Sequence, residues 1–165
     1  MNSLGYYHGG YRRTSLYVDE CAPAITGCRF FEHGGHGLEL FNSVATVRSN
    51  SFKNVPNWGY PVVLDTLDTF PLIQGNTVEG TGNRGVYLPT GTVTKSGRWL
   101  LPGAAFPYLA PGNISVGPDV TLAIDPGVTY RTAAGLYVNG TLLAQGTATE
   151  PIVFTSLKAI PAAGG

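Results

Sequence analysis

Apolar and small polar residues alternate over short stretches of this chain, and Gly or Pro interrupts the alternation every few positions. The run "GLYVNGTLLAQGTATEPIVFTS" at 135–156 is typical: it holds one carboxylate and no lysine or arginine. A period of two places alternate side chains on opposite faces of a strand, whereas a surface helix would need a period near 3.6. The predicted elements are therefore many short β-strands separated by turns.

Those strands repeat. "ITGCRFFEHGGHGLEL" from Ile25, "VRSNSFKNVPNWGYPVVL" from Val47 and "IQGNTVEGTGNRGVYL" from Ile73 share three columns: Ile25, Val47, Ile73; Cys28, Asn50, Asn76; and Phe30, Phe52, Val78. Each continues through a Gly-rich turn into an apolar-x-Leu strand, namely Leu38 and Leu40, Val62 and Leu64, Val86 and Leu88. Leu16 and Val18 form an incomplete earlier copy. The last column, Val18, Leu40, Leu64 and Leu88, steps by 22, 24 and 24 residues. A second period of 22 residues relates Ile114-Ser-Val116 to Leu136-Tyr-Val138, and carries Val120, Leu122 and Tyr130 onto Leu142, Ala144 and Ile152.

A repeat of this length with no helix formers predicts an all-β parallel solenoid. One coil cannot bury its own inner face, but coils stacked about 4.8 Å apart share an apolar column and pair each other's backbone groups. Leu16, Val18, Leu38, Leu40, Val62, Leu64, Val86 and Leu88 are expected inside, with Tyr17, Glu39, Val63 and Tyr87 outside. Asn50 and Asn76 are expected to form a stacked amide ladder at one corner, with Cys28 as a small buried residue in the same column. The division expected is 1–94 for the first block of coils, 95–112 for an aromatic, Pro-rich connecting loop packed on the stack, and 113–165 for the second block.

The motif "I-x-x-N-x-F" followed by "G-V-Y-L" resembles the coils of right-handed parallel β-helix proteins of the pectate-lyase-like superfamily. "VTLAIDPGVTY" with the run at 135–156 is similar to opening coils of bacterial secreted or cell-surface β-helix proteins. The resemblance covers nearly all of 14–94 and 113–156. It implies an extracellular or surface-attached home and a fold shared by lyases, hydrolases, adhesins and scaffolds.

Composition removes several classes. Ten basic and ten acidic residues cancel, so nothing marks a nucleic-acid partner. No apolar run approaches the ~20 residues of a membrane span. Charged residues are 12% of the chain, about half the usual share, while 23 glycines and 12 prolines accompany 11% aromatics, which fits a turn-rich ordered β protein. The N-terminus lacks the apolar stretch of a secretory signal, and "SLKAIPAAGG" follows directly on a strand pattern. The expectation is a segment of a longer protein whose open strand edges associate end to end.

The turns "FEHGGHG", "KNVPNWGY" and "EGTGNRG" fall on one edge of the stack and present His33, His36, Asn57, Trp58, Tyr60, Asn83 and Arg84. Aromatic faces beside amides and an Arg suit a polysaccharide, through stacking and hydroxyl hydrogen bonds. His33 and His36 have no third ligand in the pattern, so no metal and no other cofactor is expected. Asp19 and Asp65 lie two coils apart, roughly 9–10 Å, with Phe41 between them and Asp68 nearby, which is an incomplete set for glycoside hydrolysis. Cys21 and Cys28 are separated too far along an extended stretch to bridge unless the corner folds back. Asn113 and Asn139 match the glycosylation sequon but read as turn residues in a bacterial protein. The outward column has no flat Thr array of the kind an ice-binding surface needs. The expected function is a non-catalytic structural or adhesive segment that contacts carbohydrate; the alternative is part of a polysaccharide lyase or glycoside hydrolase.

Overall fold

The computed structural model describes residues 14–32, 34–80 and 82–158. They form a parallel β-solenoid of about six turns. Each coil supplies three strands. The first coil has β1 (Thr14–Asp19), β2 (Ala24–Thr26) and β3 (Arg29–Phe31); the second has β4 (His36–Phe41), β5 (Thr46–Arg48) and β6 (Ser51–Lys53). The third has β7 (Val62–Leu64), β8 (Leu72–Gln74) and β9 (Thr77–Glu79); the fourth has β10 (Val86–Tyr87), β11 (Gly91–Val93) and β12 (Gly97–Trp99). The fifth has β13 (Tyr108–Ala110), β14 (Ile114–Val116) and β15 (Thr121–Ile124). The sixth has β16 (Thr129–Thr132), β17 (Leu136–Val138) and β18 (Thr141–Ala144), and β19 (Val153–Ser156) begins one more. Among the described residues no helix is long and apolar enough to cross a membrane.

Every third strand joins one seven-stranded sheet in the order β1-β4-β7-β10-β13-β16-β19. Its register follows the repeat: Leu38 lies between Leu16 and Val62, Leu40 between Val18 and Leu64, and Val62 pairs onward with Val86. Leu38, Leu40, Val62, Leu64, Val86 and Leu88 are buried, and Tyr17, Glu39, Val63 and Tyr87 are partly exposed on the outer face. Leu16 corrects the expectation of a fully buried column. It sits in the first described coil, paired on one side with Leu38 of the second, and remains 38% exposed.

The other two walls change identity along the stack. In the first three coils they are β2-β5-β8 and β3-β6-β9; in the next three they are β11-β14-β17 and β12-β15-β18. The first block pairs Ile25 with Val47 and Val47 with Ile73, and stacks the Phe30 and Phe52 rings with centroids 4.8 Å apart. The amide ladder is present: Asn50 N–H and Nδ2 donate to Asn76 Oδ1, each at 3.0 Å, and Asn50 Oδ1 accepts from Cys28 N–H at 2.9 Å. Asn76 Nδ2 in turn donates to the Val47 carbonyl at 2.9 Å. Cys28 departs from its expected burial, because it terminates the ladder on the first described coil; Cys21 and Cys28 are both exposed free thiols.

Residues 95–112, read as a connecting loop, contribute β12 and β13 to the stack itself. Their aromatics are core: Trp99, Phe106 and Tyr108 are buried, and Trp99 stacks against Tyr108 and Tyr130. The second period also needs correction. Ile114 pairs with Leu136 and Val116 with Val138, as the 22-residue step requires, but Leu122 pairs with Leu142 and Tyr130 with Phe154. The turn before β18 is two residues shorter than its predecessor and the turn before β19 four residues longer, so the offset between partners passes from 22 to 20 to 24 residues. Gly140 makes the short turn passable, since a Cβ there would lie 2.2 Å from the Gly117 carbonyl oxygen.

Where the two wall sets meet, side chains tie the coils together. Asp68 accepts hydrogen bonds from the Thr94 amide at 2.6 Å, the Lys95 amide at 3.1 Å and the Thr94 hydroxyl. Asn76 N–H donates to the Pro102 carbonyl at 2.9 Å, which carries the Asn corner onto the segment following β12.

Candidate functional site

The segment 54–61, between β6 and β7, lies directly on the turn of the coil before it. A Cβ on Gly59 would approach the Gly35 carbonyl oxygen to 2.3 Å, so only Gly permits this contact. From the other side, Asn83 Nδ2 donates to the carbonyls of Asn57 and Gly59, both at 3.0 Å. Those carbonyls flank Trp58, whose side chain is half exposed. One amide thus braces the backbone on both sides of the largest flat ring on this edge.

Tyr60 is fixed by its backbone. Its N–H donates to His36 Nδ1 at 3.1 Å, and its carbonyl accepts from Gly37 N–H at 3.0 Å. The rings follow: His36 stacks on Tyr60 at 6.0 Å and 21°, meets Trp58 edge-on at 6.2 Å, and Tyr60 leans on Tyr87 of β10 at 4.9 Å. His36, Tyr60, Val63 and Tyr87 line an open groove of about 300 Å³. Its rings come from three successive coils and run along the stack.

The groove is uncharged. Burial pushes the His36 imidazole below its usual value. Burial, and secondarily the Tyr87 phenol, raise Tyr60. A backbone N–H can only donate, so Nδ1 carries the lone pair and Nε2 the proton. Neutral rings with phenol hydroxyls offer stacking faces and hydrogen bonds to an uncharged polar ligand, and among the described residues no carboxylate lines the groove to serve as acid or base.

Of the residues expected at this edge, His36, Tyr60 and Trp58 come together, while Asn57 and Arg84 are exposed on the flanking turns. His33 lies outside the described residues. The three aspartates are elsewhere. Asp19 pairs in register with Phe41. Asp65 Oδ1 accepts the Asn42 amide at 2.8 Å; burial raises its carboxyl, amide hydrogen bonds oppose the rise, and the Asp19 charge adds to it. Asp68 is partly desolvated, which alone would raise it, yet the bonds from Thr94 and Lys95 and the Lys95 charge hold it below its usual value. Among the described residues no cluster of three His, Cys, Asp or Glu is placed to hold a metal ion. Sequence reasoning missed Val63 and Tyr87 as groove walls, and the bracing role of Asn83. The outward column already contained Val63 and Tyr87; what it lacked was the knowledge that 54–61 folds back over that column.

No protein-family model matches this chain, and comparisons with curated proteins and with solved structures return no match.

Proposed function

We propose that this chain is a non-catalytic structural or adhesive segment of a secreted or surface β-helix protein, of the pectate-lyase-like kind and bacterial in origin, that holds a polysaccharide along its aromatic edge. The observation that carries this reading is the groove of His36, Tyr60, Val63 and Tyr87 beside Trp58, mounted on a sheet that continues on both sides of it. Rigid parallel strands fix the spacing of the rings before a ligand arrives, and preorganisation of this kind favours an extended, weakly held chain. An aromatic stack contributes about 0.5–1.5 kcal/mol beyond area burial. Trp58→Ala should therefore weaken retention on immobilised cellulose, xylan or pectin several-fold while the unfolding midpoint stays unchanged, because the core columns do not include Trp58. Retention that survives Trp58→Ala on all three would reduce the chain to a plain structural stack.

One observation favours the lyase or hydrolase alternative: burial, with a smaller push from the Asp19 charge, raises the Asp65 carboxyl from its usual value, the direction a general acid requires. Incubation with the same polysaccharides separates the two readings. The non-catalytic one expects neither new reducing ends nor unsaturated products, and retention unaffected by Asp65→Asn. Products that vanish in Asp65→Asn would promote the enzyme.

A further inference from the structure

We infer that neutral His36 is the positioning residue of this groove: its ring holds Tyr60 and packs Trp58, and protonation of that ring releases them. The proposal takes its ligand from the carbohydrate reading, but the switch itself belongs to the free protein. The geometry is one-sided. Tyr60 N–H donates to His36 Nδ1 at 3.1 Å, and an imidazolium, with N–H at both nitrogens, cannot accept that bond. Protonation points two N–H groups at each other, so one partner must move. The Tyr60 side is anchored, because Gly37 N–H and Leu38 N–H bond the carbonyls of Tyr60 and Pro61 at 3.0 and 2.9 Å. His36 is the first residue of β4, and its side chain swings outward more readily than the paired backbone shifts. Once it swings, the stack on Tyr60 and the edge contact with Trp58 are both lost, and the groove loses one wall.

Little around the ring compensates a new charge. Facing His36 are Tyr60 and Trp58 from the segment before β7, Thr14 in register from β1, and Tyr87 across the groove from β10. The only titrating groups among these are the two phenols. Among the described residues, the charged ones of the packed elements and their turns are Glu39 on β4 itself, Glu32 in the turn before it, Asp19 of β1 and Arg84 in the turn before β10, and none of these lines the groove. Burial, accordingly, favours the neutral ring. The folded ring binds its proton less readily than the unfolded chain does, so the bond is intact at neutral pH and is lost below the ordinary histidine value of 6.5.

The test follows the Tyr60 amide and the Trp58 indole by ¹H–¹⁵N spectra of the full chain between about pH 8 and about pH 5. Both signals should move together with one midpoint below 6.5, while the buried Trp99 indole stays still. His36→Gln should abolish the titration, because its amide oxygen accepts the Tyr60 N–H at every pH. Retention of wild type on the best of the three polysaccharides should fall several-fold over the same midpoint. Tyr60 and Trp58 signals that stay flat in wild type, or that still titrate in His36→Gln, overturn the switch. An intact titration with no retention at any pH removes the carbohydrate reading and upholds the switch.

Discussion

The two halves of this solenoid hold their cores together by different means. In the first block the corner after β5 and β8 is polar and buried: Asn50 and Asn76 are each about 1% exposed, and their amides bond the coils above and below. In the later coils that role passes to aromatic bulk, with Trp99 stacked on Tyr108 and Tyr130 and Tyr130 meeting Phe154. The seven-stranded sheet runs through both halves, yet the other two walls stop at β8 and β9 and restart at β11 and β12. Directional amide bonds fix register at a corner and tolerate little change, whereas stacked rings fix packing and tolerate sliding. A single parallel sheet is enough to carry one stack across a change of cross-section.

The comparison breaks most severely at Asn76. Asn76→Ala removes the acceptor of two Asn50 donors and the donor to the Val47 carbonyl, all buried. Leaving such groups unpaired costs about 1–3 kcal/mol each, so a loss of about 3–5 kcal/mol in a urea titration is expected. An Asn76→Ala variant that unfolds at the wild-type midpoint would refute the ladder as a source of stability.

A smaller effect belongs to the seam. Asp68→Ala should cost about 1–2 kcal/mol, since charged hydrogen bonds to Thr94 and Lys95 are lost at a partly exposed site. The Asp68 carboxyl is depressed in the fold, so this contribution is complete above the ordinary carboxylate value of 3.8 and disappears as pH falls through the folded value. Equal pH dependence in wild type and Asp68→Ala would show that the seam is held by something else.

The weakest expected effect separates the two ends. The last coils expose Tyr137, Leu143, Val153 and Phe154, and the first exposes Leu16 and Phe31. End-to-end association through these apolar patches should be visible in sedimentation at high concentration and should be reduced more by Phe154→Lys than by Phe31→Lys. A monomer at all concentrations would remove self-association as a partner.

What the sequence made legible follows from where identity repeats. Leu40 and Leu64, Val47 and Ile73, and Phe52 and Val78 occupy equivalent places, and the structure pairs each set in parallel register. Asn50 and Asn76 gave the ladder for the same reason. The residues 95–112 hid their strands because β12 pairs with the second block alone, while β13 joins the two blocks, setting Tyr108 against Val86 on one side and Tyr130 on the other. "GRW" aligns with "LAI" of β15 but with no strand of the third coil. The groove was half legible. Trp58, Tyr60 and His36 announce themselves by residue type, but their meeting with Tyr87 depends on the Gly59 and Asn83 contacts, which are properties of the fold-back and not of spacing.

The seam between the third and fourth coils also has a mechanical meaning. Inter-coil hydrogen bonds run along the stack, so a pull on its two ends strains every layer equally and the least-bonded layer parts first. Most layers are fastened along three walls; this one has β7 against β10, with two paired positions, the carboxylate stitch of Asp68, and the Asn76 bonds from backbone and side-chain amide to the Pro102 carbonyl. Under tension the rod should fracture there into a polar half and an aromatic half, like a perforated strip torn along its dotted line.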